Sequence, residues 1–386
     1  MAIGTNLNIL HLPRKVVSGR GSFSKLSEHI RSDAVKKILI ITDKTIETLG
    51  HSGRLKDSLA RDGYSVDVFS DIKSEPTVAL IKTVCANDDY MGADLILAVG
   101  GGSVIDTAKI AAAAAKNPQF RQNPTDGGLI KAKGLTLVAV PTTAGTGAEA
   151  TPNAILLDEE AKTKLGVVNP LMIPDLVVLD CTLTESLPRH VAVSTGLDAL
   201  AHALESYLSK KANGFTDMFG LQAMRLIFGN LAEACEGDNP DARQNMLMAS
   251  FYAGICLVGA STHIVHAMAY PLSGEYHVPH GVGIAALLPP VIEKLQDTCS
   301  ARLCEAAESL WHKKFECEKQ GAAFFVNALK ALAQRLEAVY SMAKYGVTED
   351  RLLEMALDAR KNERLFLQAP VAMDAETLAS IYRQIL

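Results

Sequence analysis

The sequence predicts an α/β domain with a parallel sheet over residues 1–187 and an all-helical bundle domain over residues 188–386. Three observations support that division. Length is the first, because 386 residues exceed what one hydrophobic core usually serves. The second is an alternation in the first half, where the short β-branched runs KKILIITD, YSVDVFS, ADLILAVGGG, LTLVAVPTT and DLVVLD are separated by amphipathic stretches. Such alternation argues for a parallel sheet flanked by helices. The third is a change of texture after LTESLPRH. Beyond it, Ala- and Leu-rich helical periodicity runs through FTDMFGLQAMRLIFGNLAEACE, NMLMASFYAGICLVGA, ALKALAQRLEAVYSMAKYG and AETLASIYRQIL. Pro188 marks the boundary, and with no long linker or low-complexity tract the two halves are expected to pack directly around a cleft.

Composition narrows the class. Apolar residues make up 48% of the chain and charged residues 21%, with a net charge of −5. That balance supplies no basic field for nucleic acid or an anionic membrane, so neither is an expected partner. The opening MAIGTNLNILHLPRK lacks a basic stretch followed by a long apolar run, and no segment approaches the roughly 18 apolar residues of a membrane span. The expected location is the cytoplasm. The seven cysteines form no CxxC pair and read as reduced thiols, most of them small buried hydrophobes.

Taken in order, the first strand-like run closes on Asp43. Its carboxylate has two equally good local readings, an N-cap for the helix KTIETLG or a partner for a ribose hydroxyl. In the second case it would repel a 2′-phosphate and favour NAD over NADP. In ADLILAVGGGSVIDTAK, Gly100, Gly101, Gly102 and Ser103 stand where an apolar strand ends and a helix begins. Glycines let a phosphate approach the backbone, and free N–H groups at the helix start supply donors, so a pyrophosphate is the natural guest. A plain glycine-rich turn is the alternative. Neither a Walker A pattern nor GxGxxG is present. The next strand ends in VPTTAGTGAEAT, whose Thr142, Thr143, Thr146 and Thr151 give a second polar loop at a strand's carboxyl end, where open α/β sheets bind ligands.

The helical half holds the most informative cluster. Asp198 and His202 sit at i and i+4 in GLDALAHALESYL, so both project from one helix face. His266 lies in the apolar stretch STHIVHAMAY, and His280 follows Pro279 in YHVPHGVGIAALL, where proline and glycine bracket a helix start. A single helical histidine is more often a hydrogen-bonded core or surface residue than a ligand. Here, however, His263, His266, His277 and His280 place four of the chain's ten histidines within a short span. Three imidazoles and one carboxylate suit Zn(II) or Fe(II) and leave coordination positions open.

With these residues in view, the chain resembles the iron-containing, group III alcohol dehydrogenases of the dehydroquinate synthase-like superfamily. GGGSVIDTAK, PTTAGTGAEAT, TGLDALAHALE and HAMAYPLSGEYHVPHG match the family's signatures in order and approximate spacing. The resemblance implies an N-terminal dinucleotide-binding domain, an all-helical C-terminal domain and an active site in the cleft between them. It implies metal ligation by Asp198, His202, His266 and His280, with Fe(II) the expected ion and Zn(II) the alternative. For NAD it implies contacts from Gly100, Gly101, Gly102 and Ser103, with Asp106 ending that signature, and from Thr142, Thr143, Thr151 and Lys164. It also implies a homodimer or larger homo-oligomer.

The chain departs from the pattern at one point. Some alcohol-oxidising members carry a second histidine four positions after the third ligand; this chain has Tyr270 there, and His277 three before His280. Both are catalytic candidates for relaying the proton, His277 preferred because its ordinary pKa of about 6.5 suits transfer near neutrality, against about 10 for tyrosine. Simple packing before Pro271 is the other reading of Tyr270. The expected reaction is metal-dependent, NAD(H)-linked interconversion of a small primary alcohol and its aldehyde. The alternatives are a maleylacetate-type or other oxo-acid reductase and, more remotely, a lyase of the dehydroquinate synthase type. The lyase would need several cations around a phosphorylated substrate, and residues 196–281 contain only Lys210, Lys211, Arg225 and Arg243. A non-enzymatic protein with a structural zinc would be expected to use cysteines, which the cluster lacks.

Overall fold

The computed structural model describes residues 8–72, 76–158 and 163–386. The chain divides into two compact units. One spans His11–Leu187, and the other spans Pro188–Leu386, with which residues 8–10 also cluster.

Among the described residues the first unit has eight strands: β1 (Lys15–Ser18), β2 (Lys37–Asp43), β3 (Ser65–Ile72), β4 (Leu95–Gly100), β5 (Thr136–Pro141), β6 (Asn153–Asp158), β7 (Thr163–Val168) and β8 (Leu176–Leu179). Six of them form one sheet in the order β1-β8-β5-β4-β2-β3, with every neighbouring pair parallel. The alternating residues explain why the central runs are apolar throughout. Leu39, Ile41, Ile96, Ala98, Leu137 and Ala139 join one core, whereas Ile38, Ile40, Leu95, Leu97, Val99, Val138 and Val140 join another. Side chains along a strand point alternately to opposite faces, so a sheet covered on both sides needs continuous hydrophobicity. Helix α1 (Gly102–Ala114) covers the first face, with Val104, Ile105, Ala108 and Ala111 in the same core.

Two elements were not anticipated from the sequence. Strand β1 adds an edge by pairing with β8, and β6 with β7 form a separate antiparallel hairpin. Lys164 is on β7 opposite Leu157.

The second unit is helical. Its main elements are α2 (Arg189–Leu208), α3 (Gly214–Glu236), α4 (Pro240–Ala260), α5 (Ile264–Tyr276), α6 (His280–Leu295), α7 (Ser300–Trp311), α8 (Glu318–Arg335) and α9 (Ala375–Arg383). Helix α2 packs against α3, α4 and α6, and every residue from Gly196 to Leu208 is buried. A helix apolar on all sides belongs in the interior of a bundle, and that is what places Asp198 and His202 away from water. Between α5 and α6 the chain turns at His277, whose φ of 53° lies in the left-handed region. Pro279 then precedes the first residue of α6, His280, as the Pro/Gly bracket suggested. No single helix among the described residues is long and apolar enough to cross a membrane; the bent pair α4 and α5 passes that test only when the two are joined.

Candidate metal centre and nucleotide loops

Three helices bring three imidazole nitrogens round one carboxylate oxygen. Asp198 Oδ1 lies 3.7 Å from His202 Nε2, 3.5 Å from His266 Nε2 and 3.8 Å from His280 Nε2. These separations are too long for hydrogen bonds. They suit donor atoms sharing one cation, since ligands about 2.1 Å from a common ion stand roughly 3–3.5 Å apart. The His202 and His266 rings stack with centroids 4.7 Å apart. Asp198, His202 and His266 are 2%, 6% and 5% exposed, whereas the His280 side chain is 30% exposed and forms the open side of the cluster. Asp198 Oδ1 and His266 Nε2 are buried with no hydrogen-bond partner among the described residues. Buried polar atoms are rarely left so, and a divalent cation is the partner this donor set fits. Thus Asp198, His202, His266 and His280, singled out from sequence spacing, converge in space.

The sequence reading missed Glu205. It lies on α2, one turn past His202, and is fully buried. Its carboxylate accepts the backbone N–H groups of His263 at 3.1 Å and Val265 at 2.7 Å, and the Nδ1 of His266 at 2.5 Å. A carboxylate can only accept there, so His266 carries its proton on Nδ1 and presents the lone pair of Nε2 toward Asp198. The local signal was the spacing DALAHALE, which sets Glu205 three residues after His202 on the same helix.

Electrostatics follow from this packing. Burial opposes ionisation of Asp198, yet the imidazoles of His202, His266 and His280 hold its carboxyl well below the usual range. Burial likewise opposes the His266 imidazolium, but the carboxylates of Glu205 and Asp198 outweigh it and push it up to about 9. Because that pKa is raised in the metal-free protein, the charged ring stabilises the fold fully below its ordinary value of about 6.5, and the contribution is lost as pH rises through about 9. A cation needs the neutral ring, so metal affinity should climb with pH, and uptake near neutrality should release about one proton or more. Calorimetry in two buffers of different ionisation enthalpy measures that number; uptake without proton release would contradict the assignment of His266.

Tyr270 is half-buried on α5, one turn beyond His266 and on the same helix face. His277 is exposed, and its visible duty is the left-handed turn that ends α5 and lets the chain double back to His280.

In the sheet unit, the two glycine- and threonine-rich loops meet. The Thr142 N–H donates to Gly100 O at 3.1 Å, and Thr42 Oγ1 to Val99 O at 2.7 Å, tying the carboxyl ends of β2, β4 and β5 together. Gly102 opens α1, where an added Cβ would come within 2.8 Å of Thr146 Cγ2; at Gly101 it would stand 3.4 Å from Thr143 Oγ1. Glycine is needed here for close approach of one loop to the other. Asp43 Oδ1 accepts the N–H of Ile46 at 2.9 Å, which is the capping role weighed from the sequence. Asp106 and Thr151 turn inward: Asp106 Oδ2 accepts the N–H of Ile155 at 2.9 Å, and Thr151 Oγ1 accepts from Lys109 Nζ at 2.9 Å. Lys109 and Glu149, both buried, were not singled out from the sequence.

Comparison with known proteins agrees with this architecture. Residues 13–181 match the profile "Iron-containing alcohol dehydrogenase", and residues 192–386 match "Fe-containing alcohol dehydrogenase family, C-terminal". The chain is 32% identical over 369 residues to long-chain-alcohol dehydrogenase 1 of Geobacillus thermodenitrificans, covering 94% of this chain and 93% of that one. Among solved structures it is similar to a 1,3-propanediol oxidoreductase, with a TM-score of 0.91, 30% identity, and coverage of 99% of this chain and 100% of that one. It is also similar to the sulfoacetaldehyde reductase of Bifidobacterium kashiwanohense in complex with NAD+, with a TM-score of 0.86, 25% identity, and coverage of 98% and 99%. The chain belongs to the iron-containing alcohol dehydrogenase family, whose members use NAD(H) and a divalent metal to interconvert alcohols and aldehydes. The oxo-acid reductase and lyase alternatives are not favoured by this result.

Proposed function

We propose that this chain interconverts a small primary alcohol and its aldehyde, transferring hydride between the substrate and NAD(H) with Fe(II) held by Asp198, His202, His266 and His280. The observation that carries the reading is the convergence of three imidazole nitrogens on the buried, unpartnered Asp198 Oδ1. When bound, the cation supplies Lewis acidity to the substrate oxygen. Everything else falls to the protein. Glu205 holds the His266 ring in its ligating tautomer. Gly100, Gly101, Gly102 and Ser103 offer the start of α1 to the pyrophosphate, while Thr142 and Thr143 face the nicotinamide half and Lys164 the ribose. His277, or Tyr270 through water, passes the proton to solvent; His277 is already exposed. The named relatives range from a long-chain alcohol to 1,3-propanediol and sulfoacetaldehyde, so residues lining the pocket, Tyr270 among them, set the choice. A series of aldehydes of increasing length tests the size limit; kcat/KM rising steadily with chain length would contradict a small substrate.

Asp43 supports NAD over NADP. Its cap uses Oδ1, and a carboxylate accepts through both oxygens, so capping and ribose binding are compatible. Asp43→Gly should raise the NADP/NAD ratio of kcat/KM by about tenfold or more, the size of one repulsive charge contact. An unchanged ratio would leave Asp43 with the cap alone.

A further inference from the structure

Of the histidines crowded between residues 263 and 280, His263 has no part in the function above. It stands at the corner between α4 and α5, immediately before Ile264, and its side chain is fully buried. Helix α2 holds that corner. Ser209 Oγ donates to Ala260 O at 2.7 Å and Ser206 Oγ to Ser261 O at 3.4 Å, beside the bonds that Glu205 accepts from the N–H groups of His263 and Val265. The same helix carries Asp198 and His202.

Two features of the corner cost stability. Ser261 has φ 64° and ψ 166°, a backbone conformation nearly reserved for glycine. His263 Nε2 is buried with no hydrogen-bond partner among the described residues. Packing alone does not call for an imidazole there, since an apolar side chain would fill the place without an unsatisfied nitrogen. The other nitrogen accounts for it. His263 Nδ1 lies 3.1 Å from Glu205 Oε1 and 2.8 Å from the Ile264 nitrogen. One ring nitrogen cannot donate to the first and accept from the second. A lone pair would be repelled by the carboxylate oxygen, whereas an N–H makes a charge-assisted bond to it. The Ile264 N–H opens α5 and is one of the donors that a helix start leaves outside its own ladder. Nδ1 therefore carries the proton.

Glu205 then lies between two imidazoles. Oε2 takes His266 Nδ1, and Oε1 takes His263 Nδ1 together with the two backbone N–H groups. A carboxylate has about four acceptor sites, and these donors fill them. With its sites filled the carboxylate keeps one orientation, which sets the plane and tautomer of the His266 ring whose Nε2 faces Asp198 Oδ1.

We propose that His263 is a positioning residue for the metal centre, its Nδ1–H holding the Glu205 carboxylate in the orientation that fixes the His266 ring. The proposal rests on the reading that Asp198, His202, His266 and His280 hold a divalent cation.

Competition for Zn(II) against a chelator of known affinity, on the full-length protein, tests it. His263→Leu should weaken Zn(II) binding about tenfold, the low end of what losing a partner behind a ligating imidazole does. His263→Asn should bind Zn(II) as the parent does, because the asparagine N–H stands at the same reach from Cβ as Nδ1–H. In the Glu205→Gln background, His263→Leu should cost nothing further. Thermal melting of each metal-free variant separates packing from positioning: a lower Tm beside unchanged Zn(II) affinity would overturn the proposal. An equal loss in both backgrounds would do the same, since His263 would then act without Glu205, as would an asparagine variant that binds no better than the leucine one. If His263→Leu does not fold, His263→Phe, a flat ring without nitrogens, takes its place. A parent protein that binds no Zn(II) would sink the metal-site reading and this proposal with it; tight binding in the parent that is indifferent to residue 263 sinks this proposal alone.

Discussion

His266→Ala should empty the metal site and reduce turnover on the order of 10³-fold or more, while NADH binds as in the parent protein. The magnitude follows from the several kcal/mol that a Lewis-acidic cation contributes to such a reaction. Nucleotide binding survives because the glycine and threonine loops belong to the His11–Leu187 unit and His266 to the other. The substitution removes the imidazole nearest Asp198 Oδ1 and also the nearest partner of Glu205. Glu205 would remain as a buried carboxylate facing only the His263 side chain and two backbone N–H groups. Metal analysis with nucleotide titration measures both halves of this expectation. Full activity in a metal-free His266→Ala protein would contradict the ligand assignment.

Glu205 carries the second large effect. In Glu205→Gln the shape is kept, but the acceptor loses its charge and its amide can rotate to present N–H to the His266 ring. Metal affinity should fall about 10- to 100-fold, the usual consequence of losing a carboxylate behind a ligating imidazole. Glu205→Ala should be worse, because the N–H groups of His263 and Val265 would also lose their acceptor inside the protein; about 3–5 kcal/mol of stability is at stake. Competition against a chelator of known affinity measures the first effect, and thermal melting of the metal-free variants the second. Unchanged metal affinity in Glu205→Gln would reduce Glu205 to a packing role.

These two residues show where sequence reasoning succeeds and where it stops. Asp198 and His202 were legible because helical spacing fixes which side chains share a face, His266 stood out in the local crowding of histidines, and the Pro279–Gly281 bracket fixed where His280 begins its helix. The strands were legible because β2, β4 and β5 are covered on both faces and so carry unbroken apolar runs, 38–41, 95–99 and 137–140. Glu205 was not. A glutamate in a helix normally reads as a solvent-facing residue, and its burial depends on N–H groups some sixty positions away that no local pattern announces. Lys109 hides for the same reason, at the end of a glycine-loop signature whose glycines attract the attention. The β6–β7 hairpin was missed because β7 carries Lys164 and Gly166, which break the apolar run that marked the other strands. Asp43 lies between these cases, since the cap depends on residues three apart and could be weighed from sequence, whereas a ribose contact depends on the ligand.

The central claim is that the cluster around Asp198 makes this chain a metal-dependent, NADH-consuming aldehyde reductase. Its most direct test is anaerobic NADH oxidation by the chelator-stripped protein with a short aldehyde, before and after addition of one equivalent of Fe(II). The account predicts negligible turnover in the stripped protein and restoration by the metal in the parent but not in His266→Ala. Equal turnover with and without bound metal would contradict it.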